Sequence, residues 1–239
     1  MYKNKSRAHC LDTEWIGHPK CSTCSVRSTV LFAGLDESEL DGLLQPVNQF
    51  LFHARSSLYE QGEAGQFVYS IRSGVIKLTQ NLANGATRVV RLMQAGDVVG
   101  LEALLGEAYH HNAVVLADAD ICRIQAKVIH DLDERTNHLR RQLMQRWQSH
   151  ITEADEFIVQ LSTGSSAARL ARLLLKLRRM HEAFITLNRE DIGAMLGVTT
   201  ETASRLMAEF KRNGWVQEAQ GRCVGCDAKQ LERVALDLG

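Results

Sequence analysis

Short β-prone runs, separated by glycines, fill the first half of the chain. Gly62, Gly74, Gly85 and Gly96 follow one another at intervals of 11 or 12 residues. The β-prone runs cover residues 67–71, 75–79, 87–92, 112–116 and 121–124. Short strands bounded by turn residues at this spacing predict an antiparallel sandwich or barrel. Asn84-Gly85 is the best candidate for a hairpin turn, because both residues tolerate positive φ.

A helical period replaces this pattern from about residue 127. Apolar residues then recur every three or four positions over more than six turns, which marks one stripe of a long helix. The stripe comprises Leu139, Leu143, Trp147, Ile151, Ala154, Ile158 and Leu161. It could pack on the chain's own β-domain, but a sandwich of this size covers only part of such a length. We therefore predict that the stripe from Leu143 to Ile158 pairs with a second copy of the chain.

Two short helices joined by a glycine are predicted near the C-terminus. Asn188 is a candidate N-cap for a helix that ends at Leu196. Gly197 makes a tight turn, and Thr199 caps a second helix that runs to Asn213. This is the helix-turn-helix pattern. It follows an amphipathic helix over residues 167–180, and the runs at 215–216 and 222–224 predict a β-hairpin wing.

The second of these helices carries residues suited to reading DNA. Glu201, Ser204 and Arg205 share one face near its N-terminus, the end that enters the major groove in a helix-turn-helix. Arginine donates two hydrogen bonds to guanine, and glutamate accepts one from the cytosine amino group. Thr199 and Thr200, with the free amides of the helix start, suit a phosphate. The alternative is an ion pair between Glu201 and Arg205 on a solvated face.

Composition narrows the class of protein. The 239 residues, 45% of them hydrophobic and 23% charged, are enough for two globular domains. The sequence contains no apolar run of 18 residues and no apolar segment after its basic N-terminus, so we expect a cytoplasmic protein with reduced thiols and no membrane association. Residues 164–239 carry 12 Lys and Arg against 9 Asp and Glu, and the remainder carries 16 against 19. The sequence contains no nucleophile-elbow, P-loop or zinc-protease motif, so we do not expect an enzyme.

The order of sandwich, long helix and winged helix-turn-helix resembles the Crp/Fnr family of bacterial transcription regulators over roughly residues 20–235. The motifs that carry the resemblance are YSIRSG at 69–74, AGDVVG at 95–100 and DIGAMLGVTTETASR at 191–205. The resemblance is greatest to the oxygen-sensing Fnr branch, whose recognition helix carries Glu-x-x-Ser-Arg. It implies an α+β fold: an N-terminal cyclic-nucleotide-binding-like β-roll (jelly roll), a long dimerisation helix and a C-terminal winged helix-turn-helix.

The resemblance also implies a domain order and partners. We expect a cysteine-rich leader over 1–30, a sensory β-roll over 31–128, a dimerisation helix over 129–162 and a DNA-binding domain over 163–239. Members of the Fnr branch bind double-stranded DNA as homodimers, at palindromes with TTGAT-type half-sites, and RNA polymerase is an implied partner. A protein-interaction module with a degenerate helix-turn-helix is the alternative from a different class.

Cyclic-nucleotide members of the family hold their ligand with a Gly-Glu pair and an Arg-Ser or Arg-Thr at the phosphate. This chain has His111-Asn112 where the arginine is expected. A cyclic nucleotide would lose its strongest partner there, so we do not expect one to bind.

The segment HCLDTEWIGHPKCSTC, residues 9–24, raises the question of another effector. In Fnr-type sensors, three N-terminal cysteines and one on the sandwich hold a [4Fe–4S] cluster, which has four thiolate ligands. Cys21 and Cys24 match the central Cys-x-x-Cys, and Cys122 falls at the position of the sandwich ligand. The third N-terminal cysteine, expected near Val30, is missing, and Cys10 is its replacement if the leader folds back.

Other sensors fit the same residues. A thiol switch or a zinc site uses Cys-x-x-Cys equally well, and His9 or His18 could replace Cys10. A haem sensor would take an axial ligand from the candidate histidines, and a regulator without a cofactor is also consistent. Those histidines are His9, His18, His53, His110 and His111. Cys223 and Cys226 form a second Cys-x-x-Cys at the predicted wing, which we interpret as structural.

Overall fold

The computed structural model describes residues 13–19, 24, 31–32, 35, 47–134, 137–180, 185, 187–219 and 222–237. Cys10, Cys21 and His9 lie outside this set. The chain divides into two compact units, residues 1–78 with 92–149 and residues 79–91 with 150–239. Over the described ranges, no helix is both long enough and apolar enough to cross a membrane.

The β-rich part consists of two sheets. The five-stranded sheet has the order β1-β2-β9-β4-β7, and the four-stranded sheet has the order β3-β8-β5-β6. The first sheet contains β1 (Thr13–Gly17), β2 (Asn48–Phe52), β4 (Phe67–Ile71), β7 (Val98–Val99) and β9 (Ala119–Gln125). The second contains β3 (Ser57–Tyr59), β5 (Val75–Asn81), β6 (Thr87–Met93) and β8 (Asn112–Ala117). This is the predicted β-roll.

Alternating side chains of the two sheets form the core of the roll. Tyr69 reaches from β4 across the core, where its hydroxyl donates to the carbonyl oxygen of Leu58 at 3.2 Å. Its ring lies 5.6 Å from that of Tyr59, which stacks on Tyr109 at 3.9 Å. Because this burial disfavours the phenolate, it raises the pKa of Tyr69. A 3-10 helix (Leu101–Leu105) and α1 (Ala126–Asp133) pack against each other and complete this part.

All five strands predicted from the glycine-bounded runs are present, as β4, β5, β6, β8 and β9. The hairpin turn also lies at Asn84-Gly85, but only Gly85 has positive φ, at 80°. The amide of Leu82 donates to the carbonyl of Ala86 at 2.8 Å, so three residues separate this pair rather than two. The Asn84 side chain instead accepts from the amide of Ala86 at 3.0 Å.

The apolar stripe predicted as one helix belongs mainly to α2 (Asn137–Ser162), whereas α1 ends at Asp133. The helix predicted to begin at residue 129 is therefore divided. The reason is visible in the sequence, since residues 133–138 are all polar and give the stripe no member between Leu132 and Leu139. An ion pair between Arg140 and Asp133, 2.8 Å long, spans the division.

The C-terminal part is a winged helix-turn-helix. It comprises α3 (Ser166–Met180), α4 (Arg189–Leu196), α5 (Thr200–Arg212), the wing strands β10 (Val216–Ala219) and β11 (Arg222–Cys226), and α6 (Ala228–Ala235). Its core holds fully buried side chains from three helices, among them Leu170, Leu173, Ile192 and Phe210.

Both predicted N-caps of the helix pair are confirmed. The side chain of Asn188 accepts from the amide of Asp191 at 2.6 Å, and the hydroxyl of Thr199 accepts from the amide of Thr202 at 3.2 Å. Gly197 has φ 68°, a left-handed conformation that glycine adopts without strain. Gly193, which sequence reasoning passed over, is also constrained, because a Cβ there would lie 2.8 Å from the carbonyl oxygen of Val198.

Candidate DNA-binding surface and sensory site

The N-terminal half of α5 presents the predicted DNA-reading residues to solvent. The side chains of Glu201 and Arg205 are 79% and 72% exposed, and Arg205 Nη2 lies 3.1 Å from Glu201 Oε1. The intrahelical ion pair anticipated as the alternative is therefore formed. Such an exposed pair contributes at most about 0.5 kcal/mol, so both side chains are free to exchange it for contacts with base edges. Ser204 donates to the carbonyl of Thr200 at 2.9 Å.

The start of α5 is built as an anion-binding end. Thr199 uses its hydroxyl as the cap, with a further contact of 3.0 Å to the Thr202 hydroxyl. The first intrahelical amide bond is made by Ala203, which donates to the carbonyl of Thr199 at 2.9 Å. The amides of Thr200 and Glu201 therefore have no intrahelical acceptor, which is the usual condition of a helix N-terminus and favours a phosphate oxygen.

The opposite face of α5 fixes its position. Ala203, Leu206, Met207 and Phe210 are buried, and the Phe210 ring meets Trp215 edge-on at 5.1 Å. The predicted apolar interior of the helix pair is thus observed.

Two arginines of α3 have structural contacts. Arg169 Nη1 donates to the carbonyl of Leu196 at 2.7 Å and so satisfies the C-terminal end of α4. Arg172 donates to the carbonyls of Gln160 and Thr163 at 2.9 and 2.8 Å, and to that of Ala235 at 2.9 Å. It thereby ties the end of α2 to α3 and α6. Periodicity alone does not distinguish such arginines from solvated ones.

The wing carries the second Cys-x-x-Cys pair. Cys223 is buried and Cys226 partly buried, and both are free thiols. Burial raises the pKa of both, that of Cys223 to about 11, so neither is a ready thiolate. Cys226 follows Cys223 by three strand positions, which places their Cα atoms about 10 Å apart. A disulfide requires a Cα distance below about 7 Å. These properties agree with the structural interpretation of the pair.

Along α2 the predicted pairing stripe is only partly covered. Leu143 is buried within the chain, and Ala154 is partly buried. Trp147, Ile151 and Ile158 are 38%, 57% and 59% exposed, and Met144 beside them is 64% exposed. At 100° per residue, these four exposed side chains lie within about 60° of arc. The helix thus has a covered stripe and, next to it, a continuous apolar stripe open to solvent.

The sensory cysteines are placed in part. Cys122 lies in β9, directly between Gln49 of β2 and Ser70 of β4 in the register, and is half-buried. Cys24 is also half-buried and free. In the part of the chain that is described, no three Cys, His, Asp or Glu side chains come together as a metal site. Cys10 and Cys21 lie outside that part.

A strand within the leader, which the sequence did not predict, anchors the cysteine segment. β1 pairs with β2 so that Gly17 is opposite Gln49, which is in turn opposite Cys122. Gly17 and Cys122 are therefore two strand spacings apart, about 10 Å. Cys21 follows Gly17 by four residues, whose extended reach is about 13 Å.

The other end of β1 leads away from Cys122. Thr13 is opposite Phe52, which is opposite Ala119, three residues before Cys122 in β9. Thr13 and Cys122 are therefore about 14 Å apart, and the three residues back to Cys10 span at most about 10 Å. The chain therefore leaves β1 towards Cys10 at the end distant from Cys122, and towards Cys21 and Cys24 at the end near it.

The described histidines are engaged with other groups. His18 Nδ1 lies 3.1 Å from the carbonyl of Val47, and His110 Nε2 lies 3.3 Å from Glu107. The hydrogen bond with Asp118 is the largest of the effects that raise the pKa of His53. A raised pKa favours the protonated ring, which does not bind haem iron.

His111 stands where cyclic-nucleotide members have the phosphate-binding arginine, and a carboxylate lies beside it, whereas a cyclic nucleotide needs a positive charge there. His111 Nδ1 lies 3.7 Å from Glu102 Oε1, and both side chains are 17% exposed. Burial acts to raise the pKa of Glu102, but the nearby His111 ring and hydrogen bonds from backbone amides outweigh it, so the pKa is lowered. An ionised carboxylate at this point disfavours a phosphate.

Comparison with known proteins agrees with both parts of the fold. Residues 49–136 match the family model of the cyclic nucleotide-binding domain, and residues 168–234 match that of the Crp-like helix-turn-helix domain. The fumarate and nitrate reduction regulatory protein of Vibrio cholerae is 31% identical over 202 residues, 81% of each chain. The anaerobic regulatory protein of Haemophilus influenzae is 30% identical over 213 residues, 85% of this chain and 82% of that one.

The chain belongs to the Crp/Fnr family of transcription regulators. Among solved structures, a CRP-family regulator from Thermus thermophilus superposes with a TM-score of 0.71 at 23% identity, over 79% of this chain and 98% of that one. FixK2 from Bradyrhizobium japonicum gives 0.68 at 21% identity, over 81% and 99%. The resemblance drawn from the sequence is confirmed, and this Crp/Fnr protein is a DNA-binding regulator rather than an enzyme.

Proposed function

We propose that this Crp/Fnr regulator binds, as a homodimer, a palindrome with TTGAT-type half-sites, and that an oxygen, redox or nitric oxide signal controls this binding. The observation that carries the proposal is the exposed face of Glu201, Ser204 and Arg205 on α5. The same residues at the same spacing mark the recognition helix of the Fnr branch. Thr199 and Thr200 would hold the adjoining phosphate.

The homodimer is supported by the open apolar stripe on α2. Burying side chains of the size of Trp147, Ile151 and Ile158 contributes about 1.5–3 kcal/mol each. A second copy placed about a two-fold axis covers each stripe with its own counterpart. Leu143 and Ala154 would border this interface rather than form its centre.

The sensor we propose is a [4Fe–4S] cluster on Cys10, Cys21, Cys24 and Cys122. The donor set fits such a group: Cys24 and Cys122 are half-buried thiols, and the segment that carries Cys21 leaves β1 at the end near Cys122. A bound cluster would supply an oxygen-labile link between the leader and β9. The chain's own part would be to hold β1 beside β2, so that the segment with Cys21 and Cys24 leaves β1 at the end near Cys122.

A gel shift tests the DNA-binding proposal. Protein purified without oxygen is mixed with a TTGAT-N4-ATCAA duplex and with a scrambled duplex, before and after exposure to air. We expect binding to the palindrome alone, with a loss after exposure. Binding in neither state would favour the protein-interaction module.

Iron and acid-labile sulfide, assayed on the same preparation with the visible spectrum, identify the sensor. We expect about four of each per chain, the content of one cubane cluster. Zinc without iron would instead identify the zinc site. A Soret band would identify haem, and absence of any metal would leave the thiol switch or a regulator without a cofactor.

A further inference from the structure

A cationic side chain lies between two aromatic rings on the inner face of the five-stranded sheet. The guanidinium carbon of Arg123 is 4.4 Å from the centre of the Phe50 ring and 4.7 Å from that of Phe67. Arg123 is opposite Tyr69 in the register, and therefore faces the same side as this core residue. One ring comes from β2 and one from β4, so the guanidinium contacts an aromatic ring from each neighbouring strand. Its N–H donors remain available in the plane.

This cation lacks an anionic partner in the described part of the chain. Its Nε–H is buried there and has no hydrogen-bond acceptor. Arg72, near the other end of β4, also has a buried Nε–H without a hydrogen-bond acceptor, but it has a counter-charge, since this Nε lies 3.5 Å from a carboxylate oxygen of Asp120. A partly desolvated charge without a counter-charge costs free energy, which a bound anion would offset.

An exposed indole continues the same face towards the sheet edge. Trp15 of β1 is opposite Phe50, and its Nε1–H donates to the side chain of Asn48 at 3.2 Å. Asn48 is itself opposite Arg123. The indole is 59% exposed, and the His18 ring lies edge-on to it at 5.6 Å. Trp15 and Arg123 are two strands and two residues apart in the register, so their Cα atoms are about 12 Å apart, a distance that the two side chains and a single ring with an attached acid group span together.

We propose that Trp15 and Arg123 form a binding site for a small aromatic oxyanion. The ring of the ligand stacks on the Trp15 indole, and its carboxylate or phosphate accepts two parallel hydrogen bonds from Arg123. Phe50 and Phe67 hold the guanidinium in the plane that this geometry requires. The site is separate from the proposed cluster, because Cys122 is adjacent to Arg123 in β9 and so faces the other side of the sheet.

Titration of the full-length protein with benzoate tests the proposal, with calorimetry and tryptophan fluorescence as readouts. A ligand of this size is expected to bind with a Kd of about 0.1–1 mM. Benzamide has the same shape without the charge and should bind at least about tenfold more weakly, and acetate tests the need for the ring. Phenyl phosphate distinguishes the two oxyanions: tighter binding than benzoate assigns the site to phosphates.

Two variants locate the site. Arg123→Lys keeps the charge but loses the planar fork, and should weaken benzoate binding at least about tenfold. Arg72→Lys, the matched control, should leave it unchanged. Trp15→Phe should abolish the fluorescence change and keep most of the affinity. If Arg123→Lys fails to fold, Trp15→Ala at the exposed edge strand replaces it and should also weaken binding.

Three results would overturn the proposal: benzamide binding as tightly as benzoate, Arg123→Lys retaining the affinity, or no heat and no fluorescence change up to about 10 mM benzoate. Since none of these readouts uses DNA or iron, they are independent of the proposed regulatory function.

Discussion

Arg205 is the single side chain on which sequence-specific binding is expected to depend most. It lies free of the core, on a face held in place by buried residues such as Phe210. Its partner Glu201 accompanies it at 3.1 Å, so the free protein already orients the guanidinium without binding it tightly. A side chain of this kind can be removed with little effect on the fold.

Arg205→Ala should weaken binding to the TTGAT palindrome at least about tenfold, since a bidentate contact with guanine contributes about 1–3 kcal/mol. The ratio of affinities for the palindrome and for a duplex in which the half-site guanine is replaced should fall as well. Fluorescence anisotropy with both duplexes measures these effects. Arg212→Ala, an exposed arginine at the other end of α5, is the control. An equal loss in both variants would indicate a general charge effect rather than base reading.

The cysteines differ in what their replacement should do. Serine at Cys10, Cys21, Cys24 or Cys122 should lower the iron and sulfide content of anaerobically purified protein, because each removes one thiolate from the proposed set. Cys226→Ser in the wing should leave it unchanged. Cys10 is the most informative position, because it approaches from the far end of β1. Full cluster content in Cys10→Ser would assign the fourth ligand to another residue, with His18 the next to replace.

At the scale of elements, two caps define the helix-turn-helix, and one of them can be tested without touching DNA contacts. Asn188→Ala removes the acceptor for the amide of Asp191 and should cost about 1 kcal/mol. Hydrogen exchange in α4 should then be about fivefold less protected, with the strands of the β-roll as internal reference. Asn188→Ser should restore most of the protection. Unchanged exchange in Asn188→Ala would show that packing alone defines the start of α4.

The exposed stripe of α2 predicts a change of assembly state. A glutamate at Ile151 or Ile158 would place a charge in an apolar interface and should raise the dimer dissociation constant at least about tenfold. Sedimentation velocity at micromolar concentration measures it. Glu156→Gln, on the opposite side of the helix, is the control. If both glutamate variants keep the dimer dissociation constant of the wild type, the interface lies elsewhere.

Elements with a strong periodic signal could be predicted from the sequence, and those defined by long-range pairing could not. The strands between glycines, the two caps and the Gly197 turn follow from local chemistry, and all are observed. β1 has no such signal, since its Trp15 and Ile16 stay exposed and only pairing with β2 holds it. α6 was also missed, although Asp227 caps it and Leu231 anchors it, because eight residues give a short period. Cys122 could be matched to the family's ligand position, but the residues opposite it on the neighbouring strands could not be predicted.

At the scale of the whole molecule, the question is whether the proposed signal would change the amount of the proposed dimer or the geometry of a permanent one. The apolar stripe of α2 favours permanence, because four large side chains would otherwise remain in water. Of the neighbouring acidic residues, Glu153 and Glu156 lie on the opposite side of the helix, whereas Asp155 borders the stripe, about 20° from Met144. Arg172 of α3 ties the end of α2 to α6 of the DNA-binding part, so we expect a change in the angle of α2 to be passed to that part.

We therefore expect protein purified without oxygen, and the same protein after exposure to air, to sediment as dimers at micromolar concentration, whereas affinity for the palindrome falls at least about tenfold. Arg172→Lys should reduce that ratio, because a lysine cannot bond the several carbonyls that Arg172 bonds at once. Arg179→Lys, an exposed arginine of the same helix, should keep it. A monomer after exposure to air would contradict the permanent dimer. Exposure would then weaken DNA binding by dissociating the dimer, and Arg172 would not be needed to transmit the change.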